Sequence, residues 1–330
     1  MAADLDVVGV GNALVDVISI EADEFIERHQ LVKGSMRLIE PDEAVTLYEA
    51  MGPGVEMSGG SAANTLAGLA SLGGRGGFIG RVKDDQLGSV FRHDIRAVGV
   101  EFPVAPAADG APTGRSLIVV SSDAQRTMNT LLGAASELCP DDIDEAFVAR
   151  GQVTYLEGYL FDREAAGEAF QKAAAAAHAA DRKVALTLSD SFCVERFLES
   201  FRGLVADEID ILFGNEDELC LLYETSDPTA ALAAAESVCD LVVMTRGAAG
   251  SMVSDHGTRI EVAAEPVHRV IDTTGAGDLF AAGFLYGMTH GRDLETSARL
   301  GSVAAAEVIS HVGARPETVL AALAAPILVG

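Results

Sequence analysis

The segment Asp272-Thr273-Thr274-Gly275-Ala276-Gly277-Asp278 runs directly into the apolar stretch Leu279-Phe280-Ala281-Ala282-Gly283-Phe284. A glycine-rich turn at the head of a helix exposes successive N–H groups at the positive end of the helix dipole. Such a turn cradles phosphate oxygens and the charge that develops during phosphoryl transfer. Gly275 and Gly277, on either side of Ala276, leave that backbone uncovered, and Asp278 puts a carboxylate beside it, where a hydroxyl proton can be accepted. Taken alone, the segment reads more readily as a helix with a capping aspartate behind an ordinary turn.

Three further constellations lie upstream. In Ser58-Gly59-Gly60-Ser61-Ala62-Ala63-Asn64 the paired glycines allow a ligand close to the backbone, and Asn64 offers a donor and an acceptor to a diol. The plain alternative is a strand-to-helix turn with Asn64 on a solvated face. Asn215 and Glu218, three apart after the run Ile211-Leu212-Phe213, share a helix face and suit a hard, hydrated cation, or else form an acidic first turn stabilised by the dipole. Val242-Val243-Met244-Thr245-Arg246-Gly247 is a strand ending in a glycine turn, a weak signal by itself. Near the start, Gly9-Val10-Gly11 suggests a dinucleotide fingerprint, but Leu14 stands where its third glycine is required, which makes a dehydrogenase the lesser reading.

In this order and spacing the segments resemble the signatures of the ribokinase-like carbohydrate and nucleoside kinases, also called the PfkB family. The resemblance implies an ATP-dependent phosphotransferase in which Asp278 is the base and 275–277 form the anion hole. It places Asp16, Gly59, Gly60 and Asn64 on the substrate hydroxyls, and Asn215, Thr245, Gly247 and Gly277 on ATP. Glu218 would hold magnesium through water, and Asp272, Thr274 and Gly313 fall where potassium-activated members bind a monovalent cation. Gly11-Asn12-Ala13-Leu14-Val15-Asp16, Tyr155-Leu156-Glu157-Gly158-Tyr159 and Gln125-Arg126-Thr127-Met128 look more like adenosine-kinase-type members than like ribokinase. The expected acceptor is thus the 5′-hydroxyl of adenosine. A sugar kinase for ribose, fructose or a keto-deoxy acid is the rival within the class, and an idle ligand-binding relative the rival outside it.

These residues need elements to carry them. The run at 6–12 reads as a buried strand, 59–72 as a helix and 77–80 as the next strand. Strands are expected near 153–156, 184–188, 209–214 and 241–245, with Ala-rich helices at 165–180 and 229–238. That alternation predicts an open, mainly parallel sheet in a three-layer α/β/α core. Residues 14–39 and 102–132 break the rhythm and predict a small β-sheet lid, so that 1–330 is read as a single domain.

Composition bounds the rest. The 330 residues carry a formal charge of -27, which repels nucleic acid and anionic membranes but leaves local phosphate binding intact. There is no apolar run of about 20 residues, and the start Met1-Ala2-Ala3-Asp4 lacks a basic segment, so a cytoplasmic protein is expected. Cys139, Cys193, Cys220 and Cys239 form no CxxC pair and read as buried free thiols. The assembly is open between monomer and homodimer.

Overall fold

The computed structural model describes residues 3–123, 125–162 and 164–329; Met1 and Ala2 of the amino-terminal run and Ala124 of the second expected lid segment lie outside them. The strand Leu5–Val10 is buried at all six positions and pairs in parallel with Gly76–Ile79 on one side and Gly151–Glu157 on the other. A strand covered on both faces needs an unbroken apolar run, which Leu-Asp-Val-Val-Gly-Val nearly is. Beyond Gly151–Glu157 the sheet continues through Lys183–Thr187, Ile211–Asn215, Leu241–Thr245, Ser251–Asp255 and Thr258–Val262, with only the last two pairings antiparallel. Successive side chains point to opposite faces: Val7 joins one apolar cluster with Leu66 and Phe284, while Val8 joins the other with Phe170 and Leu186. These are the two helix layers of the expected α/β/α core.

A second sheet of five strands runs in the order Met36–Leu38, Arg126–Leu131, Gly114–Val120, Leu14–Ile20 and Gly54–Gly59. Two boundaries differ from the sequence expectation. Gly54–Gly59 is an edge strand that the pattern did not predict, because Gly-Val-Glu-Met-Ser-Gly is glycine-bounded and without alternation. Residues 102–113, expected in the small sheet, contribute no strand to it; Glu101 and Ala107 bridge instead to Gly77 and Lys83.

The chain passes between the sheets at Gly11-Asn12-Ala13 and at Gly60, and there the chemistry gathers. Gly60 has φ +99°, and a Cβ on it would lie 2.1 Å from the Asn12 carbonyl oxygen. Only glycine fits such a crossing. The helix Ser61–Ser71 that follows packs on the helix Ala276–Thr289, so closely that a Cβ on Gly68 would overlap Leu279 and Ala282. That contact sets the first turns of the two helices side by side. Among the described residues no helix is long and apolar enough to cross a membrane. All four cysteines are thiols outside any disulfide; Cys193 and Cys239 are buried as expected, whereas Cys139 and Cys220 are partly exposed, which corrects the reading of all four as buried.

Candidate active site

A cleft of about 940 Å³ runs between the small sheet and the carboxyl ends of the parallel strands, where open α/β sheets bind ligands. Asp278 lies on its floor. The residue that caps the helix is Gly275, left-handed at φ +78°, and not Asp278. Both Asp278 oxygens reach the neighbouring helix instead: Ser61 Oγ donates to Oδ1 at 2.6 Å and Asn64 Nδ2 donates to Oδ2 at 3.0 Å. Burial raises the Asp278 pKa, opposed by those two hydrogen bonds and by the charge of Arg315.

The turn before Asp278 is open where an anion would approach. A Cβ on Gly277 would meet nothing within 4 Å, and the same holds for Gly247 on the far side of the cleft. Ala276 N donates to Thr273 O at 3.2 Å, which leaves the N–H groups of Gly277 and Asp278 as first-turn donors without an intrahelical partner. Under the turn sits Ala314, whose Cα would be 2.8 Å from a Cβ on Gly275.

Asp16, on Leu14–Ile20, overhangs the floor from the small sheet, with its pKa raised to about 6 by burial against the pull of Arg315 and Arg126. Gly59 does not line the cleft. The space its side chain would fill holds the Asp16 carboxylate, 2.5 Å from an ideal Cβ, so Gly59 makes room for Asp16 where closeness to a ligand was expected. Gly60 and Asn64 do line it. Asn64 is less free than the sequence suggested: its Oδ1 accepts from Arg315 Nε at 2.8 Å, which fixes the amide orientation and leaves it a donor toward the cleft.

Three residues that the sequence reading gave no role also belong to the site, although Ser61 and Glu157 lie within segments quoted above. Arg315 also donates from Nη2 to Ser58 O at 2.8 Å and Ser58 Oγ at 2.9 Å, tying the small sheet's edge strand to the floor. Burial lowers its pKa, with Asp94, Asp16 and Asp278 resisting the shift. Glu157, 1% exposed, accepts from Asn12 Nδ2 and from Ala62 N, each at 2.8 Å, and burial lifts its pKa to about 7. Ser61 is the third. Their contacts could not be read locally, since each acts on partners far away in the chain.

At the other end of the cleft, Asn215 and Glu218 form a reciprocal cap: Asn215 Oδ1 accepts from Glu218 N, and Glu218 accepts from Asn215 N at 2.9 Å and from Nδ2 at 2.7 Å. Both sequence readings are therefore partly met, since the pair is a helix cap and also lines the cleft. Burial, with Asp190 and Asp217 nearby, raises Glu218 to about 7. Thr245 and Gly247 line the same end. Asp272, Thr274 and Gly313 come together behind the turn, joined there by Arg126 from the small sheet.

Residues 35–319 match the pfkB family carbohydrate kinases. The chain belongs to this family. Among its curated relatives is the 5-dehydro-2-deoxygluconokinase of Bacillus subtilis (strain 168), 27% identical over 324 residues that span 92% of this chain and 90% of the relative. Among solved structures, the adenosine kinase from Sinorhizobium meliloti is 49% identical with a TM-score of 0.91, covering 98% of this chain and 99% of its own. A probable sugar kinase from Rhizobium etli CFN 42 is 46% identical with a TM-score of 0.91, covering 98% of both chains. As a PfkB kinase the protein uses ATP, and the three-layer core with its separate small sheet is the fold of these neighbours.

Proposed function

We propose that this PfkB kinase phosphorylates the 5′-hydroxyl of adenosine. The observation that carries the reading is the lining of the acceptor end of the cleft. Leu14, Met36, Leu38 and Met128 of the small sheet give it an apolar roof beside Asp16, and none of the lining residues from that sheet or from the helix Ser61–Ser71 is basic. A flat, neutral base fills such a roof, whereas the carboxylate of a keto-deoxy acid would face Asp16 where Arg315 is already committed to Asn64 and Ser58. The 49% identity to the Sinorhizobium meliloti adenosine kinase supports the same choice over the 27% identity to the sugar-acid kinase. Asp16 accepts from the ribose diol and Asn64 donates to it.

Asp278 accepts the proton of the 5′-hydroxyl as that oxygen forms its bond to phosphorus and the bond to the ADP oxygen breaks. ATP supplies the phosphoryl group, and magnesium, when bound, would neutralise part of its charge. The N–H groups of Gly277 and Asp278 meet the negative oxygens. Gly277 and Gly247, with open space where a side chain would stand, fit phosphate running past them. Among the described residues no three acidic, His or Cys side chains form a metal cage. Glu218, a buried carboxylate beside Asp190 and Asp217, suits a hydrated magnesium held mainly by phosphates. The small sheet acts as a lid that excludes water from this step.

The test is a panel of adenosine, guanosine, 2′-deoxyadenosine, ribose, fructose and 5-dehydro-2-deoxygluconate with ATP and magnesium, read as kcat/KM. Adenosine should exceed each free sugar and the sugar acid by at least about a hundredfold, because a site built around a diol and a base penalises the loss of either. Preference for a sugar or sugar acid overturns the nucleoside assignment.

A further inference from the structure

We propose that Arg126 is a built-in cation for the turn preceding the catalytic helix, and that turnover therefore needs no potassium or other monovalent ion. The proposal turns on Asp272. Its Oδ1 accepts from Thr274 N at 3.0 Å and from Thr274 Oγ1 at 2.7 Å. Its Oδ2 accepts from Gly313 N at 3.0 Å and pairs with Arg126 Nη1 at 2.7 Å. An ionised carboxylate has about four lone-pair directions; three are met by hydrogen-bond donors and the remaining side faces the Arg126 guanidinium as an ion pair. Thr274 and Gly313, the residues expected to hold an alkali ion with Asp272, both turn N–H groups toward its carboxylate. The donor set fits a carboxylate already neutralised by a guanidinium and does not fit a bound potassium ion.

The pair is buried, with each side chain 8% exposed, so its charge is little screened. Among the described residues Arg126 Nε and Nη2 are buried without a hydrogen-bond partner, so what Arg126 brings to Asp272 is chiefly its charge, which Asp16 also feels. The position matters for catalysis. Asp272 binds the start of the Thr273-Thr274-Gly275 turn to Gly313, and the next residue, Ala314, packs under Gly275. Neutralising Asp272 keeps both loops, and with them the N–H groups of Gly277 and Asp278, in place. A potassium ion would do this much. Arg126 does more, since it rides on the small-sheet strand Arg126–Leu131 and delivers its charge only when that sheet is seated on the core. Arg126 is thus a positioning residue that couples the seating of the small sheet to the order of the anion-binding turn.

The experiment measures initial rates with adenosine and ATP at constant ionic strength in potassium, sodium or tetramethylammonium chloride, for wild type, Arg126→Lys and Arg126→Ala. Wild-type rates should agree within about twofold across the salts; Arg126→Ala should fall at least about tenfold in tetramethylammonium and regain at least about fivefold in potassium, a coupling of ordinary allosteric size. Arg126→Lys should keep most of the wild-type rate without potassium. Activation of the wild type by potassium of more than about fivefold overturns the proposal. So does an alanine variant that is folded by circular dichroism yet slow and unrescued by potassium, or one that is fast in every salt. The wild-type comparison needs no variant and decides the question if the alanine protein does not fold. Thallium titration followed by its NMR signal is independent of turnover: saturable binding that appears only in Arg126→Ala supports the proposal, and binding to the wild type displaced by potassium overturns it. If no acceptor is phosphorylated in any salt, the nucleoside assignment fails and the thallium result still stands.

Discussion

Asp278→Asn removes the proposed base while nearly preserving shape, and the structure shows how the new side chain must sit. Asparagine brings one oxygen and one NH2 to a place where two donors arrive, from Ser61 Oγ at 2.6 Å and Asn64 Nδ2 at 3.0 Å. One contact has to invert. Asn64 is held by Arg315 Nε at 2.8 Å and cannot, whereas the Ser61 hydroxyl can rotate and accept. The asparagine therefore places its oxygen toward Asn64 and its NH2 toward Ser61, keeping both hydrogen bonds. Stability should change by no more than about 1 kcal/mol, since a charged acceptor is exchanged for a neutral one and a buried charge is removed. The rate is another matter. A positioned base contributes about 10²–10⁴-fold, so kcat should fall by about a thousandfold, near 4 kcal/mol of barrier. The KM for adenosine should stay within a few-fold, because Asp16 and the apolar roof are untouched. ADP release coupled to NADH oxidation measures the rate, and a urea titration the stability. A folded variant with kcat within tenfold of wild type would refute the assignment of Asp278 as base. A loss of several kcal/mol in stability would refute the hydrogen-bond argument.

The two turn glycines should respond differently. Gly277→Ala puts a methyl into open space, so stability should hold while KM for ATP rises at least about tenfold; Gly275→Ala, at φ +78° and against Ala314, should cost about 1–3 kcal/mol of stability as well. Arg315→Met removes the charge that lowers Asp16 and Asp278, so the acid limb of the kcat/KM profile should move to higher pH, and an unshifted limb in a folded variant would refute that link. Glu157, raised from 4.5 to about 7, holds more protons folded than unfolded across that window, so its contribution to stability falls as pH rises through it. Glu157→Gln should flatten the decline between about pH 5 and 8 by on the order of 3 kcal/mol, and parallel urea profiles for the two proteins would contradict this. Amide exchange in Leu14–Ile20 and Arg126–Leu131 should slow when adenosine and a non-hydrolysable ATP analogue bind; unchanged exchange under saturation would count against a closing lid.

The core was readable because buried parallel strands carry their signal locally. Leu241–Thr245 matches the expected span, and the other central strands lie within two or three residues of it. The glycine turn and the place of Asp278 at the helix start were readable for a similar reason, as they are contiguous in the chain; the role of Asp278 as base is our proposal. The edge strand Gly54–Gly59 was not, because an edge pairs on one side only and tolerates glycine and polar residues. Asn64 was recognised as a site residue, but its acceptor proved to be committed, a fact held by Arg315 at a separation of 251 residues. Glu157 and Ser61 likewise take their meaning from partners 145 and 217 positions away. Local pattern predicts elements and motifs. It cannot show which polar groups have already been spent on one another.

Those separations also bear on how the enzyme comes into being. Loop-closure entropy delays contacts between distant segments, and a chain emerging from the ribosome at about 5–20 residues per second makes Ser61 and Asn64 well before Asp278 and Arg315. The early helix must therefore wait, its polar first turn unpartnered, until the last quarter of the sequence arrives. Folding intermediates should carry the parallel sheet and no activity, with the appearance of turnover trailing the recovery of secondary structure in refolding experiments. For a protein whose reactive groups could hydrolyse a valuable nucleotide, a competence acquired only with the final contacts is also a safeguard during synthesis.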